Sequence, residues 1–208
     1  LQKLIHEDNS IGLVHRVFAD FGLDMPLEKQ PEGSRLSDLS LGAGSLLDIG
    51  VYSLTWAHLA LHDPEDDEED VTVAAALTFN DDGVDEIANV ILNYTSKDAQ
   101  AVCTSTYLSK TDPEFCRIEG SKGSIHVLGR TASKPSSLLV KRKGEEMQRY
   151  DFAVEGWGFF YEQDAVAKAI KAGQKESEIM TWAESLRVLG VLDEVRRLGG
   201  LKYPQDEE

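Results

Sequence analysis

Basic residues are scarce in this sequence. Its 208 residues hold 21 Lys and Arg against 37 Asp and Glu, a net charge of −16. So acidic a surface is repelled by phosphate backbones and anionic lipid headgroups, so neither nucleic acid nor membrane is an expected partner. Long hydrophobic runs are missing too, and a bilayer-spanning helix needs about 20 apolar residues in succession. Cysteine is nearly absent. Cys103 and Cys116 sit in strand-like runs without metal-ligand spacing, so they read as two buried thiols in a reducing, cytoplasmic setting. The sequence opens on Leu1 and not on Met, so the chain is expected to begin inside a longer parent, with no signal segment expected before it. With 41% hydrophobic residues, there is enough apolar material for one sizeable core.

Periodicity gives the order of elements. Residues 1–7 read as the tail of a helix, and Asn9-Ser10-Ile11-Gly12 as a turn. Residues 13–21 alternate as a strand, with Leu13, His15, Val17, Ala19 and Phe21 expected on one face. A loop rich in Pro and Gly follows, then an apolar helix over 45–62 that Pro64 ends, then the acidic run 65–70. Strands are expected at 71–79, 87–95, 100–109, 115–119, 124–128, 138–142 and 147–152, with hairpin signals at Asn80-Asp81-Asp82-Gly83 and Gly120-Ser121-Lys122-Gly123. The period then changes to that of helices, over 161–171 and 181–198. Thr181 and Glu184 form a capping-box pattern, and Gly199-Gly200 a stop. Strands in a run beside grouped helices define an α+β domain: a mostly antiparallel open sheet with helices packed on one face, over residues 1–208. The other face needs cover, so a homodimer through the open sheet face is expected.

The stretch Gly42-Ala43-Gly44-Ser45-Leu46-Leu47-Asp48-Ile49-Gly50-Val51-Tyr52 carries the most chemistry. On a helix Asp48 and Tyr52, four apart, share a face. A phenol exchanges a proton with a substrate oxygen, and a nearby carboxylate orients it, which suits carbonyl–alcohol interconversion. The same spacing also suits an Asp at a helix N-terminus and a Tyr reaching water from the core.

The words of this motif resemble the glucose–fructose oxidoreductase / inositol dehydrogenase / rhizopine-catabolism oxidoreductase superfamily. So do Ile11-Gly12-Leu13-Val14-His15-Arg16-Val17, Ile118-Glu119-Gly120-Ser121-Lys122-Gly123-Ser124-Ile125 and Asp193-Glu194-Val195-Arg196-Arg197. Tyr52, together with the ending Tyr203-Pro204-Gln205-Asp206, is similar to the branch of dimeric dihydrodiol dehydrogenases and D-xylose 1-dehydrogenases. The resemblance covers nearly the whole chain and implies the C-terminal, substrate-side domain of an NADP-dependent oxidoreductase acting on a sugar or diol. It makes Tyr52 the general acid/base and Asp48 its orienting partner. The family's Rossmann domain, with its Gly-rich loop and catalytic Lys in Glu-Lys-Pro, is absent. Glu28-Lys29-Gln30-Pro31 lies in the wrong place to replace that motif, and Ala43 stands where the family has a glycine. The isolated chain is therefore expected to be inactive, with NADP bound mainly by the missing domain. The alternative is a non-catalytic sensing or dimerisation module on the same fold.

Other residues are weighed beside these. Arg35 could reach substrate or cofactor, or tie down its loop in an ion pair. Trp157, Phe159 and Phe160 could wall the substrate pocket or pack in the core. His58 and His62 are four apart, as in some zinc helices, but no Glu follows His58 and no third ligand is evident, so no metal is expected. The 120–123 segment is too short for a phosphate loop and reads as a turn.

Overall fold

The computed structural model describes residues 1–62 and 70–207. Pro64 and the acidic run as far as Glu69 lie outside the described residues. Eight strands form one sheet: β1 (Val14–Gly22), β2 (Val71–Phe79), β3 (Asp85–Tyr94), β4 (Ala99–Thr106), β5 (Glu114–Gly120), β6 (Gly123–Thr131), β7 (Lys134–Arg142) and β8 (Gln148–Asp151). Their order across the sheet is β2-β3-β4-β1-β5-β6-β7-β8. Every neighbouring pair is antiparallel except β1 with β4, which is parallel. The α+β class and the mostly antiparallel open sheet are as expected.

Strand β1 departs from the even alternation expected of it. Its register against β5 shifts between Val14 and Arg16. This bulge rotates the strand's start, so Val17, Ala19 and Phe21 point into the core while His15 and Leu13 face solvent. Strands β6 and β7 also run further than expected, to Thr131 and from Lys134. Pro135 sits in β7 opposite Gly129, where the ladder is irregular, and so escapes the usual exclusion of proline from a sheet interior.

Three α-helices follow the expected grouping: α1 (Val51–Leu61), α2 (Phe159–Lys171) and α3 (Trp182–Gly199). Helix α1 lies over β1, β4 and β5, and α3 over β2 and against α1. Val188, Leu192 and Val195 of α3 are buried, as are Leu54, Ala57 and Leu61 of α1. Gly199 closes the contact with β2, since a Cβ there would meet Leu77 Cδ1 at 2.4 Å. Helix α2 is different: none of its residues is buried, and Val166 and Ile170 remain exposed. Only two of the three helices pack on the sheet as expected.

The sheet's far face is mixed in character. Arg16 and Arg117 both pair with Glu119 and flank the Phe18 ring at 4.8 and 4.5 Å. Asn89 and Gln100 lie exposed beside Ile91. This face is therefore a polar network around a few apolar side chains, more polar than helices on one side alone led us to expect. Cys103 and Cys116 are free and buried, and burial raises the pKa of both thiols. Among the described residues no helix is long and apolar enough to cross a membrane.

Candidate functional site

The helix expected over 45–62 opens instead with a π-turn, Leu46–Gly50, before α1 begins at Val51. The cause lies beneath it. Asp85, at the start of β3, is buried and accepts hydrogen bonds from Leu46 N–H at 2.7 Å and Ser45 Oγ at 3.0 Å. Gly44, at φ +125°, makes room for that carboxylate: a Cβ would lie 1.8 Å from Asp85 Oδ1. The glycine thus serves a buried side chain. Two tyrosines complete the support. Tyr203 Oη donates to Ala43 O at 2.8 Å, and Tyr107 Oη donates to Asp48 Oδ2 at 2.8 Å. Burial raises the Asp85 carboxyl to about 6, against the lowering effect of its hydrogen bonds. Burial, then the neighbouring Asp48 carboxylate, raises the Tyr107 phenol.

The π-turn changes the angle between positions four apart. Asp48 turns toward Arg35 Nη1, at 2.5 Å, and toward Tyr107. Among the described residues no hydrogen bond joins Asp48 to Tyr52, so direct orientation of the phenol by Asp48 is not what the geometry shows. Arg35 forms the ion pair of its second sequence reading while its side chain stays exposed. The bond and charge of Asp48 raise its pKa further above the ordinary arginine value. Tyr52 instead packs edge-on against Phe21, with centroids 5.4 Å apart, and stays 40% exposed.

Tyr52 borders a cavity of about 800 Å³ between α1, the β7–β8 edge and the segment leading into α2. Its walls include Trp56, Ser137, Asp151, Trp157 and Phe159. Trp56 is fixed by donating from Nε1 to Ala132 O at 2.9 Å. Arg130 and Lys134 lie over the Trp157 ring at 4.9 and 4.8 Å. The bonds of Ser137 and Arg149 hold the Asp151 carboxyl below its ordinary value. The structure thus brings Tyr52 and Trp157 together and adds Phe159. Phe160 is not in this lining, though its ring lies tilted against that of Tyr161, which is, with centroids 4.1 Å apart; Arg35 and Asp48 also lie outside it. A concavity walled by aromatic and apolar side chains, with polar groups such as Ser137 and Asp151 among them, is the usual form of a small-molecule site.

Sequence reading missed Asp85 and Tyr107. The signal for Asp85 was a charged residue at an inward strand position just after a hairpin turn. Tyr107 follows directly on β4 and carries no such mark.

An eight-stranded open sheet, with a π-turn feeding the helix that covers it, defines an α+β domain. Residues 1–126 match the family described as GFO/IDH/MocA C-terminal domain, and the chain belongs to that family. It is 32% identical to a D-xylose 1-dehydrogenase (NADP(+)) of Hypocrea jecorina, over 94% of this chain and 55% of that protein. It is 33% identical to a trans-1,2-dihydrobenzene-1,2-diol dehydrogenase of Xenopus tropicalis, over 97% of this chain and 59% of that protein. The chain thus spans little more than half the length of these relatives. Its fold superposes on an aldose-aldose oxidoreductase of Caulobacter crescentus, solved with glycerol, with a TM-score of 0.77 and 25% identity, over 96% of this chain and 57% of the other.

Proposed function

We propose that this chain is the substrate-side domain of an NADP-dependent oxidoreductase acting on the CH–OH group of a sugar or trans-dihydrodiol. Tyr52 takes or gives the hydroxyl proton. The observation that carries this reading is that the half-exposed Tyr52 shares the lining of the 800 Å³ cavity with Trp157 and Phe159. Apolar ring faces suit the C–H faces of a sugar or diol, and a phenol in the same lining suits its hydroxyls. The relatives' names support the substrate class and NADP.

The chain's own residues do not fit the dinucleotide. Among those described no strand runs through a glycine-rich turn into the helix of a βαβ unit, which is what cradles a pyrophosphate. On this reading NADP is held by a domain outside the chain and supplies the hydride acceptor when bound. The chain supplies the proton group and the shape of the pocket. A phenol ionises near pH 10 in water, so one serving as base at neutral pH needs a cation beside it. Among the described residues none is bonded to Tyr52, and the outer domain would provide it. Asp48, held by Tyr107 and Arg35, then acts by fixing the backbone that presents Tyr52. The same reading makes the protein a homodimer, through the mixed far face of the sheet.

A second reading, a non-catalytic sensing or dimerisation module, draws on the absence of an Asp48–Tyr52 bond. Tyr52→Phe in the complete protein separates the two. The oxidoreductase reading expects turnover to collapse with binding retained; a module would show no turnover to lose. The isolated chain should bind no NADP in calorimetry, and micromolar affinity would overturn the division of labour. Sedimentation at micromolar concentration should show a dimer; a clean monomer of the complete protein would remove the sheet-face interface.

A further inference from the structure

A second cluster of chemistry-bearing side chains lies at the other end of α1, outside the cavity. His58 and His62 stack with ring centroids 4.4 Å apart and planes within 12°. Both Nε2 atoms face a single carboxylate, that of Glu184 in the first turn of α3. His58 bonds Glu184 Oε2, and His62 Nε2 lies 3.1 Å from Glu184 Oε1. The three side chains are 10%, 4% and 14% exposed. One ligand atom from each lies within 4.8 Å of the other two. The third ligand that the sequence did not show is brought by α3.

We propose that His58, His62 and Glu184 form a binding site for a divalent transition cation, zinc by preference, fastening the last turns of α1 to the first turn of α3. Imidazole nitrogens and a carboxylate are the donor set such ions take, with three protein ligands and an open fourth position. Three observations favour a cation over a hydrogen-bonded triad alone. First, Glu184 forms only half of its capping box: its N–H donates to Thr181 Oγ1 at 3.2 Å, but its carboxylate faces the histidines. The side chain has left its local partner for the imidazoles. Second, the stacking brings a ring nitrogen of each histidine to within 4.8 Å of the other and of a Glu184 oxygen, close enough for one cation to draw on both lone pairs. Third, a hollow of about 300 Å³, bordered by His58, Asp70 and Arg187, opens beside the cluster and gives an entry path.

The test is titration of the metal-free protein with Co²⁺, then Zn²⁺. One Co²⁺ per chain is expected, with the visible d–d absorption of a four- or five-coordinate ion, displaced by one equivalent of Zn²⁺. His62→Gln and Glu184→Gln, checked for folding by circular dichroism, should each weaken binding at least about tenfold. His126→Gln should leave it unchanged, because that imidazole pairs with Glu114 on the sheet's far face. Zinc at about a hundred times its Kd should raise Tm by roughly 5–10 °C, and magnesium should not. The proposal is overturned if the folded protein shows no d–d bands in excess Co²⁺, or if they survive in a folded His58→Gln/His62→Gln variant. Equal Tm shifts with magnesium and zinc would also overturn it, since diffuse attraction to an acidic surface would then suffice. Should the variants fail to fold, the zinc-dependent Tm of the unaltered protein decides alone: a rise supports the site and no shift removes it.

Discussion

Two pairs of side chains four residues apart lie along the same helical rod, and they meet opposite ends. At its C-terminal end His58 and His62 are stacked and converge on Glu184. At its start Asp48 and Tyr52 part company, one to Arg35 and Tyr107, the other to the cavity and Phe21. The difference is local winding. Regular α-helix returns position i+4 nearly over i, whereas the π-turn Leu46–Gly50 displaces Asp48 from that line. Equal spacing therefore gives one pair a shared ligand and gives the other separate duties.

The largest effect that would sharpen this contrast is on chemistry. In the complete protein, Tyr52→Phe should lower kcat by roughly 10²–10⁴-fold with KM nearly unchanged. Retention of more than about a tenth of kcat, where chemistry limits the rate, would take the proton role from Tyr52. Asp48→Asn should cost less, on the order of tenfold in kcat: an amide can still accept from Tyr107 and loses only the charge facing Arg35.

Gly44→Ala attacks the π-turn itself. The new Cβ would collide with Asp85 at a φ suited to glycine, so a loss of roughly 3 kcal/mol, or about 6–12 °C in Tm, is expected by calorimetry. An unchanged Tm would show that the turn relaxes freely. Asp85 gives a pH-dependent version. Its folded value of about 6 lies above the ordinary 3.8, so its protonated form is favoured by folding. Its contribution is therefore greatest below pH 3.8 and is lost as pH rises through 6, on the order of 3 kcal/mol in all. The Tm of Asp85→Asn relative to the parent should accordingly climb between pH 4 and 7, and a flat difference would contradict the burial argument. The smallest expected effect separates two aromatics: Trp157→Ala should raise KM several-fold by removing a cavity wall, while Phe160→Ala should leave it unchanged.

The sheet was legible because alternation survives wherever a strand has one buried face, as in β3 and β4. It failed where the backbone breaks period. The bulge in β1 released His15 and Leu13, and Pro135 hid the start of β7. In the site, the residues of the 42–52 motif were visible, but not the π-turn, whose cause is Asp85 from a distant strand. Glu184 was visible as a cap and not as a partner of histidines, because the packing of α3 on α1 joins residues far apart in the chain. Phe160 and Trp157 looked alike; only the folded cavity, which Trp157 lines and Phe160 does not, tells them apart.

The lone parallel seam bears on how the sheet comes together in time. Strands β2 to β4 and β5 to β8 are two meanders, each built from neighbours in sequence. Strand β1 joins them, pairing Val17 with Ala101 on one side and Ile118 on the other. Both pairings close long loops, and contacts of that kind form slowly. During synthesis β1 is made before either partner exists, and its Val17, Ala19 and Phe21 wait uncovered. The interval before the seam closes is when this chain is most exposed to pairing with the wrong edge.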